Sequence, residues 1–86
     1  MSIINICVEG RKTPALTEQL TIIRKIDGLK VTKRRNKPFY DITGEVTQAD
    51  DINTMIAAFK TLLNNCEAGL DIKDEHLRQV VFDMIK

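Results

Sequence analysis

The sequence predicts a small α+β protein, in which a split βαβ sheet with the element order β-α-β-β-α-α is covered on one face by helices. Three observations lead to this class. The chain has 86 residues, which suits one domain spanning residues 1–86. Apolar residues near its start and in its middle recur at every second position, as they do in strands. Elsewhere they recur at helical spacing, and a right-handed crossover followed by a hairpin joins all these elements into one sheet.

The first predicted strand covers residues 3–8. Its even-numbered positions are apolar and share one face, whereas Ile3 and Cys7 lie on the other face. Apolar residues on both faces are typical of a strand in the middle of a sheet.

Residues 13–28 allow two interpretations. In the first they form a helix, with Thr13 as the N-cap and Pro14 at the first helical position. In the second, residues 20–35 form a hairpin around the Asp-Gly pair at 27–28. The helix is favoured, because a Thr-Pro start is followed by a four-residue apolar stripe that a glycine ends. The stripe consists of Leu16, Leu20, Ile23 and Ile26.

Two further strands are predicted at residues 29–35 and 39–47, joined by a turn at 36–38. In the second of them apolar residues alternate with polar ones. This strand is therefore expected to bury one face and to expose the other.

The next helix has the clearest pattern in the chain. Thr47 and Asp50 have the spacing of a capping box, apolar residues between 52 and 66 follow the helical period, and Gly69 is expected to end the helix. A last helix is predicted to start near Asp71 or Asp74 and to run to the C-terminus.

A fourth strand at Gly69–Ile72 is an alternative that would complete a ferredoxin-like sandwich. The apolar spacing between residues 14 and 31 also resembles that of small regulatory domains of the ACT type. The resemblance implies a ligand-sensing domain at a dimer interface and assigns no functional residue. It is carried by Pro14, Leu16, Leu20, Ile23, Leu29 and Val31.

The net charge of +1 conceals an asymmetry between the two halves of the chain. Residues 1–38 carry nine basic and three acidic side chains, a net charge of +6. Residues 39–86 carry four basic and nine acidic side chains, a net charge of −5. If the fold keeps the two halves apart, the molecule is an electrostatic dipole.

Five of the thirteen basic side chains fall within residues 30–37, which we call the basic hairpin. Its tip could bind phosphates, with Phe39 or Tyr40 stacked on an unpaired base, or it could meet an acidic protein surface. In a third interpretation, Asp41 and Glu45 neutralise the hairpin, whose charges then only keep an edge strand soluble. The predicted tip consists of Lys33, Arg34, Arg35 and Lys37.

Few residues suit catalysis. His76 is the only histidine, Ser2 is the only serine, and Cys7 and Cys66 form no CxxC motif. Glycine-rich phosphate-binding loops and calcium-binding loops are also missing from the sequence. We therefore expect no catalytic residue, no metal site and no cofactor.

The last predicted helix suggests a second contact surface. At 100° per residue, Phe82 and Ile85 lie to the side of the apolar stripe that should face the core. Phe82 could wrap over a neighbouring loop. Alternatively, an exposed aromatic residue is a suitable interface anchor, so Phe82 and Ile85 could support self-association.

The sequence thus predicts a non-enzymatic regulatory or inhibitor-type protein that binds another macromolecule, with a protein partner as first choice. A nucleic-acid-binding module that uses the basic hairpin is the second interpretation, and a ligand-sensing domain is the third. No apolar run is long enough to cross a membrane, and the N-terminus lacks the basic region of a signal peptide. Two cysteines within apolar patterns are expected to be reduced, which suggests a cytoplasmic location.

Overall fold

The structure is a computed structural model that describes the backbone of residues 2–85 and the side chains of residues 3–83. Four strands and three helices occur in this part of the chain. In chain order they are β1 (Ser2–Glu9), α1 (Pro14–Arg24), β2 (Leu29–Lys33), β3 (Phe39–Val46), α2 (Ala49–Asn65), β4 (Gly69–Ile72) and α3 (Glu75–Ile85).

The strands form one antiparallel sheet in the order β2-β3-β1-β4. The predicted split βαβ sheet is confirmed, and β1 lies inside the sheet as its two-sided apolar pattern indicated. The fourth strand does form, so the element order is β-α-β-β-α-β-α and the arrangement is ferredoxin-like with an added C-terminal helix. Among the described helices, none combines the length and the apolar character that a membrane span requires.

The core lies between one face of the sheet and the helices. Helix α1 packs against α2 and β2, α2 also contacts β4, and α3 packs against α2 and β4. Side chains such as Ile6, Ile42 and Phe59 are fully buried in this layer. The opposite face of the sheet is not covered by any described element, and we call it the open face.

Of the two interpretations of residues 13–28, the helical one is confirmed. The Thr13 hydroxyl accepts a hydrogen bond from the Leu16 N–H at 3.2 Å, and Pro14 is the first residue of α1. The helix ends at Arg24, four residues before the glycine that was expected to end it.

The observed boundaries of the other two helices differ from the predicted ones. The N-cap of α2 is Gln48 and no side chain caps it, so the capping box predicted at Thr47 does not form. This helix ends at Asn65, because the chain turns there to enter β4. The predicted start of α3 at Asp71 is wrong, whereas Asp74 caps this helix by accepting a hydrogen bond from the Leu77 N–H at 2.8 Å.

Two glycines allow the start of β2 to approach β3 closely. Gly28 and Gly44 have φ values of 91° and 137°, and the Gly28 carbonyl accepts a hydrogen bond from the Glu45 N–H at 3.1 Å. A Cβ atom at Gly44 would lie 1.9 Å from that carbonyl oxygen. Any other residue would clash with the backbone and would also adopt a strained φ.

We therefore expect Gly44→Ala to lower the free energy of unfolding by about 2 kcal/mol or more, because strain and clash both oppose the folded state. Urea titration measures this change. Gly69→Ala is the matched control, since no atom lies within 4 Å of its added Cβ. It should change stability by less than about 0.5 kcal/mol. Equal effects of the two substitutions would contradict the close approach.

Candidate functional site

The centre of the open face is a half-buried thiol between two carboxylates. Cys7 on β1 is the register partner of Asp41 on β3 and of Asp71 on β4. All three side chains point away from the helices, because the alternate positions of these strands are buried beneath them.

Each of the two carboxylates is paired with a cation. The Arg34 guanidinium donates two hydrogen bonds to Asp41, at 2.9 and 3.0 Å. The Lys73 ammonium donates one to Asp71 at 2.7 Å. Arg34 also lies over the ring of Phe39, 5.5 Å from its centroid. We call this row of five groups the polar band; it consists of Arg34, Asp41, Cys7, Asp71 and Lys73.

A cavity of about 360 Å³ is lined by all members of the polar band except Asp41, and also by Glu9, Phe39, Gly69 and Leu70. Two cations and two carboxylates surround this cavity, so its charges largely cancel. Burial raises the pKa of the Cys7 thiol, an effect to which the neighbouring aspartates add and which Arg34 partly opposes. The thiol is therefore poorly suited to act as a nucleophile at neutral pH.

The structure distributes the four residues of the predicted tip over different surfaces. Arg34 lies on the open face and is neutralised by Asp41. Lys33 points to the helix side, since it is the register partner of the buried Tyr40. Arg35 and Lys37 are exposed in the turn between β2 and β3. The turn includes Asn36 at a φ of 60°, a conformation that asparagine tolerates well.

Neither aromatic residue of the predicted stacking pair is freely exposed. Tyr40 is 6% exposed and belongs to the core. Phe39 is half-buried on the open face, beneath Arg34. A base could reach the Phe39 ring only after the guanidinium had moved.

A second group of cations converges on the helix side of the hairpin. Lys33 at the end of β2, Lys12 before α1 and Arg24 in the last turn of α1 line one cavity of about 200 Å³. We call it the basic cleft. No carboxylate lines it, and the rest of its wall is formed by Thr17, Leu20 and Tyr40. Sequence reasoning missed Lys12 and Arg24, because only the fold brings them beside the hairpin.

The predicted electrostatic asymmetry persists in the fold. The basic segments α1 and β2 lie at one edge of the sheet, and β4 and α3 lie at the other. Residues 11–38 carry nine basic and two acidic side chains, whereas residues 47–85 carry three basic and seven acidic ones. Most basic charges of the first half therefore lie at the edge formed by α1 and β2, whereas Arg34 pairs with Asp41 of the second half.

The predicted self-association surface on α3 is described in part. Phe82 is 39% exposed, and the side chain of Ile85 lies outside the described residues. Ile3 on the open face is 72% exposed, which is more than the exposure of Phe82. These two exposed residues lie on different elements, β1 and α3.

Within the described part of the chain, no three or more His, Cys, Asp or Glu side chains cluster as metal ligands do. No protein-family model, curated protein or solved structure matches the chain. The ferredoxin-like arrangement by itself does not define a function, because one such fold hosts many activities. The function must therefore be inferred from the charges and cavities described above.

The Cys7 thiol should react slowly with iodoacetamide at pH 8. In a Cys66→Ser variant, where Cys7 is the remaining thiol, we expect alkylation severalfold slower in the folded protein than in urea. The reason is that burial disfavours the thiolate and limits access to it. Mass spectrometry of timed samples measures both rates. Equal reaction in the two states would contradict this protection, and faster reaction in the folded state would indicate an activated thiol.

The pair formed by Arg34 and Asp41 should make stability depend on acid pH. The hydrogen bonds from Arg34 lower the pKa of Asp41 in the folded state. The stabilisation that these hydrogen bonds give is thus complete above the ordinary Asp pKa of about 3.9. It is lost as the pH falls through the lowered pKa of Asp41 in the folded state.

We expect Asp41→Asn to reduce the urea midpoint slightly at pH 7, because the pair is partly exposed, and to lose this effect in acid. Glu45→Gln removes a carboxylate from the same strand that makes no ion pair with a described residue, and is the matched control. Identical pH profiles for the two variants would show that the ion pair contributes no specific stability.

Proposed function

We propose that this protein is a small non-enzymatic regulatory or inhibitor-type protein that binds an acidic surface of another protein. It uses eight exposed cations of α1, β2 and the adjoining turns, which we call the basic side. The separation of charge across the sheet is the observation that carries this proposal. The basic side consists of Arg11, Lys12, Arg24, Lys25, Lys30, Lys33, Arg35 and Lys37.

The charge separation has a direct consequence for association. A molecule with one basic and one acidic side is oriented by the field of its partner before the two surfaces touch. The basic side then meets an acidic surface, and like charges disfavour the opposite orientation. Fast, oriented association suits an inhibitor that must find its target in a crowded solution.

A protein partner accounts for the surface better than a nucleic acid does. Modules that bind single strands offer exposed aromatic rings, whereas Tyr40 is buried and Phe39 lies beneath Arg34. A polyanion that extended beyond the basic side would also approach the acidic β4 and α3. A compact acidic protein surface avoids this repulsion.

The absence of enzymatic activity is part of the proposal and has support of its own. The raised pKa of the Cys7 thiol leaves little thiolate near neutral pH. His76 is exposed on α3, whereas Cys7 lies on β1. Both cysteines are free, which suits the reducing cytoplasm that we propose as the location.

The proposal is tested with two charge-matched double variants. Arg35→Gln/Lys37→Gln removes two cations from the basic side, and Lys60→Gln/Arg78→Gln removes two exposed cations from α2 and α3. A partner is first captured from nuclease-treated lysate with the wild-type protein and then purified. At low salt, the first variant should slow association with this partner about tenfold, and the control by less than about twofold.

Stopped-flow fluorescence measures the association rates, and repetition at 0.5 M salt should remove most of the difference. Two results would overturn the proposal. One is capture that nuclease abolishes, together with micromolar binding of purified DNA or RNA at physiological salt. The other is equal slowing by the two double variants, which would mean that net charge alone matters.

A further inference from the structure

We infer that the basic cleft binds a phosphate monoester group. The cleft lies between α1 and the end of the β2–β3 hairpin, on the side of the sheet opposite to the polar band. The basic cleft belongs to the basic side, but phosphate binding to it can be measured without any partner protein. Failure of this inference and failure of the proposed function are therefore distinguishable.

The three cations of the cleft come from three separate segments and are not neutralised by the fold. Lys12 precedes α1, Arg24 is in its last turn, and Lys33 ends β2. None of the three makes an ion pair with a described residue, in contrast to Arg34 and Lys73 on the open face. Like charges that converge on one cavity repel one another, and an anion in the cavity relieves this repulsion.

The cavity is suited to a small anionic group. Its volume of about 200 Å³ is below the range of roughly 300–1,000 Å³ that is usual for drug-sized ligands. Leu20 and Tyr40 are buried and form a fixed floor. Thr17 and Tyr40 also line the cavity, and their side chains carry hydroxyl groups that can donate hydrogen bonds to oxygens of a ligand.

A phosphate monoester matches these donors better than a carboxylate does. It carries a charge of about −1.5 to −2 at pH 7 and three strong acceptor oxygens. An arginine can donate two parallel hydrogen bonds to it, and two lysines can contact the remaining oxygens. A carboxylate has one charge and two oxygens, so it would leave part of the basic cleft without a partner.

The experiment titrates inorganic phosphate and O-phosphoserine into the ¹⁵N-labelled protein at 150 mM NaCl and follows the amide resonances. We expect saturable shifts for the amides of Thr17, Lys33 and Tyr40. With O-phosphoserine, affinity should rise between pH 5 and pH 7, as the second phosphate proton with a pKa of about 6 is lost.

Single substitutions test the cations. Lys33→Gln and Arg24→Gln should each weaken phosphate binding about tenfold or more, because each removes a charge-assisted hydrogen bond. Lys37→Gln is the matched control on the same hairpin and should change affinity by less than about twofold, since Lys37 does not line the cleft. The amide spectrum of each variant shows whether it is folded. The two substituted cleft residues lie on different elements. If one of these variants does not fold, the other still tests the inference.

A third experiment compares a phosphoserine peptide with O-phosphoserine to identify the source of the phosphate group. A phosphoserine peptide that binds much more tightly than O-phosphoserine supports a phosphorylated protein as the ligand, and equal affinity supports a small phosphate ester. Shifts that do not saturate, or equal losses in Lys33→Gln and Lys37→Gln, would overturn the inference by showing only diffuse attraction to the basic side.

Discussion

The burial of one face of the sheet beneath α1 and α2 is the constraint on which the rest of the structure depends. Because alternate residues of a strand point to opposite faces, this burial decides where every charged side chain of the sheet can lie. Val31 enters the core and directs Lys33 to the same side, while Arg34 is directed to the open face. The division of the basic hairpin between two surfaces thus follows from the apolar pattern of β2.

Cations are neutralised on the open face but not in the basic cleft. On the open face, each cation of the polar band has a carboxylate within hydrogen-bonding distance, and burial raises the pKa of the half-buried Cys7 thiol. Such a surface is polar but almost neutral, and it exerts little attraction at a distance. In the basic cleft no carboxylate is present, so the positive potential remains available to a ligand or a partner.

The strand order places the basic segment of the chain and an acidic one at opposite edges of the sheet. Both crossovers lead outward, so that α1 lies beside β2 and α2 lies beside β4, with α3 added at the same edge. The segment from α1 to β2 and the segment from β4 to α3 therefore lie at opposite edges of the sheet. If these two segments were neighbours, the same charges would produce a weaker field.

The sequence by itself determined the α+β class and the inward face of β3, and it favoured a start of α1 at Thr13 and Pro14. These features depend on short-range periodicity and on capping groups a few residues apart. Only the tertiary structure decided that residues 69–72 pair with β1 as a strand, because four residues with a glycine have no stable conformation of their own. It alone placed Lys12 and Arg24 beside Lys33. Such contacts depend on the packing of separate elements, which local patterns do not encode.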